Sequence, residues 1–265
     1  MITPSAGLLL ATLAAAPVAI ATPDEPPVLD APAGVRLDVN LSAGVWLARV
    51  DGTVSKGAGG SSIDVDTDLS LAELEATMNI ELDLRAERWS VHLHGFSFAA
   101  DGREMLSRDL TFGGLSLNSG EMVRSSFDLT SLSVEVGYAF RPEIGEHVAL
   151  RFSPTIGLRY FDLIHDITAG AGRESIDTEH LAALGGVRLD IDIWQSLTFQ
   201  FDASIGGMIT GGGHFVAVGT SVTWRPHPNV GLSFGYRQID QTLRDGRDEY
   251  DGRLAGVLFS GSIRF

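Results

Sequence analysis

His92 and His94 stand two residues apart, as do Glu81 and Asp83 before them. In an extended chain that spacing puts each pair on one side of its strand, and neighbouring strands would bring the four groups together. Imidazoles beside carboxylates can ligate a transition metal or exchange protons in acid–base chemistry. They can equally be fixed members of a packed charge network, which is the reading adopted. A second candidate is His165-Asp166 with Asp162 nearby, an acid–base combination at the end of a segment whose apolar residues alternate. The acidic run 245–251 (DGRDEYD) could bind calcium weakly, but it lacks the spacing and the Gly and Glu placement of an EF-hand loop. It reads as a solvated loop. The glycines at 206, 207 and 211–213 open no helix, so they predict a tight turn and not a phosphate cradle.

Period-two segments carry the first of these groups. Leu74, Ala76, Met78, Ile80, Leu82 and Leu84 oppose Glu75, Thr77, Asn79, Glu81, Asp83 and Arg85, an alternation that only a strand makes into two faces. The same pattern predicts strands at about 34–50, 74–85, 89–99, 127–140, 148–162, 181–192, 197–204, 215–224, 230–237 and 254–265. Long loops are expected at 51–68, 101–124, 163–178 and 240–251, with a helical turn at 69–74. Connections at 86–88, 141–147, beside Trp194 and at 225–228 are short.

Ten two-faced strands, with short turns on one side and mostly long loops on the other, predict an all-β fold: a transmembrane antiparallel up-and-down β-barrel, with eight or twelve strands as alternatives. An even count returns both chain ends to the short-turn, periplasmic side. Trp89, Trp194, Trp224 and Phe140 lie beside the short turns, where an interfacial belt belongs, and Tyr160 and Tyr236 lie towards the other end. The polar face mixes both signs. Arg36, Asp38, Glu81, Asp83, Arg85, His92, His94, Glu135, Arg151, Arg159, Arg188, Asp190 and Arg237 are expected to form a charge network in the lumen. A solvated exterior would use lysine freely, whereas Lys56 is the only one. Arginine with carboxylates fits bidentate pairing in a confined space.

The chain has 265 residues, no cysteine and a net charge of −15. Such acidity offers no face for nucleic acid, and the missing cysteines exclude a disulfide framework and thiolate-bound zinc. Residues 1–21 combine a short apolar run with Ala19-Ile20-Ala21, the pattern of a secretory signal, although no basic residue precedes the run. Proline-rich 22–33 predicts a periplasmic leader, leaving 34–265 for the barrel.

Three stretches, GFSFAADG at 95–102, SPTIGLRYFD at 153–162 and GYRQID at 235–240, with GSIRF at the end, resemble a proteobacterial family of outer-membrane β-barrels without an established activity. The closing strand, with Phe259, Ile263 and terminal Phe265 on one face, looks like the signal read by the barrel-assembly machinery. The resemblance implies a bacterial outer-membrane location and outer-membrane lipid as the surroundings. Omptins, ten-stranded barrel proteases, place Asp and His at the outer rim, and His165-Asp166 matches them in position alone. No phospholipase-like HxSNG stretch is present. The expectation is therefore a non-enzymatic structural or surface-interaction barrel with a mostly plugged lumen, needing no cofactor or metal. A narrow pore for small solutes or ions is the first alternative and an omptin-like rim protease the second.

Overall fold

The computed structural model describes residues 37–265 except 72, 146, 147, 194 and 195. The signal and leader segments, Arg36 and Trp194 lie outside the described residues. Alternating apolar and polar side chains build β1 (Leu37–Ser55), the short β2 (Ile63–Asp64), β3 (Glu75–Ala86) and β4 (Trp89–Met105). A small hairpin, β5 (Leu110–Phe112) and β6 (Leu115–Leu117), precedes β7 (Met122–Tyr138), the short β8 (Glu143–Gly145) and β9 (Val148–Ala169). Then come β10 (Gly172–Ile193), β11 (Leu197–Met208), β12 (Gly212–His227), β13 (Val230–Asp245) and β14 (Asp248–Arg264).

Ten of these strands form a closed antiparallel barrel in the order β1-β3-β4-β7-β9-β10-β11-β12-β13-β14. Closure is made by β14 against β1, in register from Asn40↔Arg264 to Ser55↔Glu249. The terminal Phe265 extends it, its N–H donating to the Val39 carbonyl at 2.9 Å. Closing the sheet removes every unpaired edge along the apolar zone.

Outward-facing side chains there are apolar and exposed, among them Leu41, Val45, Ile80, Leu132, Ile156, Phe201, Leu232 and Phe259. Trp89, Phe140 and Trp224 are exposed beside the short turns. β3 has 12 residues, and at about 3.4 Å per residue and a tilt near 40° it rises roughly 30 Å, a little more than the apolar band of membrane barrels.

Beyond this zone the two faces exchange character. On β1 the inward positions change from Asp38, Asn40 and Ser42 to fully buried Trp46, Ala48 and Val50, while Arg49 turns outward. β4 repeats this with His92 and His94 followed by Phe96, Phe98 and Ala100, and β9 with Arg151 and Arg159 followed by Phe161, Leu163 and Ile167. Inside the long-loop half of the barrel lies a continuous apolar core, which Leu69, Leu71, Leu110, Phe112 and Leu117 join from the connecting loops.

Two of the four expected long loops are strands. Residues 163–178 continue β9 and β10 to a turn at Gly170 and Ala171, with Ala169 opposite Gly172. Residues 240–251 continue β13 and β14 to a turn at Gly246 and Arg247, with Asp245 opposite Asp248. Gly170 and Gly246 adopt φ of 56° and 62°, the left-handed conformation that lets a two-residue turn reverse a hairpin. β1, β4 and β7 likewise run into segments expected as loops, and β12 runs through 225–227 with a bulge. The helical turn lies at 64–70, marked by Asp68 N–H to Asp64 O at 3.0 Å and Ser70 N–H to Asp66 O at 2.9 Å.

The two true loops cover the long-loop end and are tied down by charge. Arg108 donates to Asp68 at 2.6 Å, Lys56 to Glu174 at 2.7 Å, and the Gly57 N–H to Asp248 at 2.9 Å. Burial opposes ionisation of Asp68, but Arg108 prevails and holds its carboxyl below the ordinary range.

Candidate functional site

The polar half of the lumen is bridged from wall to wall. Alternation turns Glu81, Asp83 and Arg85 of β3 inward, and the curvature of the closed sheet sets them opposite Arg188 and Asp190 of β10 and Arg237 of β13. Arg188 grips both Asp83 oxygens at 3.0 and 3.1 Å and donates to Gln200 at 2.8 Å. Arg237 donates to Glu81 at 2.7 Å and to Asn79 at 2.8 Å. Arg85 and Arg151 reach Asp190 at 3.4 and 3.3 Å. Arg264 of the closing strand forms a fork with Asp38, its Nε 2.7 Å from Oδ1.

Both histidines are enclosed in this network. Arg188 Nη1 lies 2.7 Å from His92 Nδ1, Asp83 is in contact with the same nitrogen, and Ser90 is 3.0 Å from Nε2. His94 Nε2 meets Asn79 at 2.6 Å and Arg237 at 2.5 Å. Their carboxylate neighbours are therefore occupied by guanidinium, and no cluster of three or more metal-ligating groups occurs among the described residues. Deeper in, Glu135 accepts from Thr155 at 2.9 Å and lies 4.0 Å from Arg159, whose guanidinium stacks 4.8 Å above the Phe215 ring at the floor of the apolar core.

Asn79, Asp192, Thr198 and Gln200, which alternation places on polar strand faces without marking them as members of the charge network, and Arg225 belong to the same lumen. Asn, Gln and Thr look alike on a polar strand face whether solvated or bonded, and Arg225 sits in RPHP, which reads as a turn. Arg225 donates to Thr198 at 2.5 Å, and Thr198 donates to Asp192 at 2.6 Å.

His165 and Asp166 are separated by the geometry of the strand that carries them. Consecutive residues point to opposite faces, so His165 is fully buried inside the core while Asp166 faces out to Arg173 at 2.8 Å. The imidazole packs between Phe112 and Phe127, with ring centroids 6.1 and 5.6 Å away, and its Nε2 lies 2.8 Å from Ser125 Oγ. Burial pushes its pKa down to about 4 against the opposing pull of Asp166. The expected rim position is thus replaced by an interior one, because the chain here continues as a strand.

No protein-family model matches the sequence, and no curated protein matches it. Among solved structures, the outer membrane protease OmpT from Escherichia coli is similar over 86% of this chain and 96% of its own, at 8% identity and a TM-score of 0.49. A major outer membrane protein from Thermus thermophilus aligns over 87% and 100%, at 13% identity and a TM-score of 0.41. The attachment invasion locus protein Ail of Yersinia pestis aligns over 86% and 98%, at 14% identity and a TM-score of 0.37.

Proposed function

We propose that this chain is an integral outer-membrane barrel that does not conduct and that works through its outer surface. The observation that carries the reading is the exchange of faces along the strands. A ring of exposed apolar side chains surrounds the short-turn half, as lipid contact requires, whereas past it the outside is charged and the inside is a packed apolar core. A water-filled path would have to cross that core and the two loops tied over it. The motifs at 95–102, 153–162 and 235–240 and the closing Phe259, Ile263 and Phe265 belong to the same reading, with the last three facing lipid as an insertion signal. β9 continues nine residues beyond Tyr160, which at strand rise and tilt lifts its end roughly 20 Å above the belt. Four such extended strands, β4, β7, β9 and β10, form a stiff exposed sheet suited to contact with outside partners. The buried, face-separated His165 and Asp166 support a non-enzymatic role. Planar-bilayer recording on the refolded protein tests the sealed lumen: a flat current is expected, and discrete openings would overturn it.

A further inference from the structure

Below the sealed core, the polar half of the lumen opens at the short-turn end as a cup of about 880 Å³. Its floor is formed by the Arg188–Asp83 and Arg237–Glu81 bridges. One carboxylate on its wall is over-shared. Asp190 faces Arg85 at 3.4 Å, Arg151 at 3.3 Å and Arg188 at 3.4 Å, whereas charge-assisted N–H···O bonds normally close to about 2.7–2.9 Å. Arg188 has its own partner in Asp83. Arg85 has only Asp83 at 3.8 Å in addition, and Arg151 has no second carboxylate within 4 Å among the described residues. The Arg151 Nε is buried and unpartnered. Two strands along the same wall, Arg225 of β12 holds the Thr198 hydroxyl, and Asp192, next but one to Asp190 on β10, already accepts from Thr198. Six arginines and six carboxylates line the cup, so its charges balance in number, and the unmet positive charge is local: Arg85 and Arg151 have the single Asp190 between them, at 3.4 and 3.3 Å.

We propose that this cup binds a small oxyanion, the carboxylate or phosphate group of a solute, between the forks of Arg85 and Arg151 with Arg225 at the mouth. Planar guanidinium forks match both groups bidentately. Because the far end is closed, the solute enters and leaves by one mouth, and the site is a receptacle and not a conduit. That the solute is periplasmic rests on the orientation proposed above; the binding itself does not.

The test uses the full chain refolded in detergent, its folded state checked by heat-modifiable migration. Isothermal titration at fixed ionic strength is run with inorganic phosphate in one arm and citrate in the other. Saturable binding of at least one is expected, and the arm that binds identifies the group. Arg85→Gln and Arg151→Gln should each weaken it about tenfold or more, given what a charge-assisted bond contributes. Arg244→Gln, on the outer hairpin and paired with Glu249 at 2.7 Å, should leave it unchanged. Where Arg151→Gln does not fold, Arg151→Lys keeps the charge, loses the fork and must weaken binding by itself. No saturable binding in either arm, equal loss in Arg244→Gln, or unaltered binding in Arg151→Lys would overturn the assignment. A conducting barrel would undo the sealed lumen without touching these titrations, so the two failures are distinguishable.

Discussion

Arg188 contacts more of the lumen network than any single carboxylate does: Asp83 through two nitrogens, Asp190 through a third, Gln200 and His92 besides. Its side chain is 12% exposed and that of Asp83 7%, so deleting one partner strands the other where water cannot fully reach it. Arg188→Leu should cost about 3–5 kcal/mol, read as a shifted urea midpoint in lipid vesicles, and Asp83→Leu in the same chain should recover much of the loss. His165 supplies a pH dependence. Its folded pKa, lowered by burial to about 4, lies below the ordinary 6.5, so the unfolded chain takes up the proton first. The corresponding stability is complete above about pH 6.5 and is lost as pH falls towards 4, amounting to about 3 kcal/mol. His165→Gln should flatten that part of the stability profile, and an unchanged slope would show that the imidazole is not sealed. Residue types in the network were legible because alternation marks a polar face. Their partners were not, since Arg188 and Asp83 are 105 positions apart and meet only when the sheet closes.

At the level of elements, period two was readable wherever an exposed apolar outer face backs onto a polar lumen, as in β3. It failed at 163–178 and 240–251 for a physical reason. Beyond the exposed apolar belt the outer face is charged, and the inner face carries His165, Thr178, His180 and Gln241 among its apolar residues, so apolar counting finds no contrast and reports a loop. The glycine turns were the remaining signal. Gly246→Val should cost about 1–2 kcal/mol in refolding stability, the penalty for a side chain in the left-handed conformation, whereas a flexible loop would tolerate it. Lys56 straps the first loop to β10, and its hydrogen bond holds the Glu174 carboxyl below its ordinary pKa. Lys56→Met should speed limited proteolysis within 57–62 while leaving the barrel fragments intact. Equal cleavage rates would mean that the strap does not hold the loop.

For the whole molecule, one inversion accounts for the belt, the sealed outer half and the open cup. A soluble barrel would keep one face apolar along its entire strands, and here the apolar face crosses from outside to inside at the level of Trp46, Phe96 and Phe161. β7 displays the change on its outward side: Arg124 and Asp128 precede Leu132, Val134 and Val136 along one row. With no native cysteine in the chain, single substitutions along that row, at Arg124, Asp128, Leu132, Val134 and Val136, can be labelled in lipid vesicles with a membrane-impermeant maleimide. Rapid labelling at 124 and 128 with protection at 132, 134 and 136, relieved when detergent unfolds the barrel, is the predicted result. Uniform labelling of all five positions in the folded, lipid-embedded protein would contradict it.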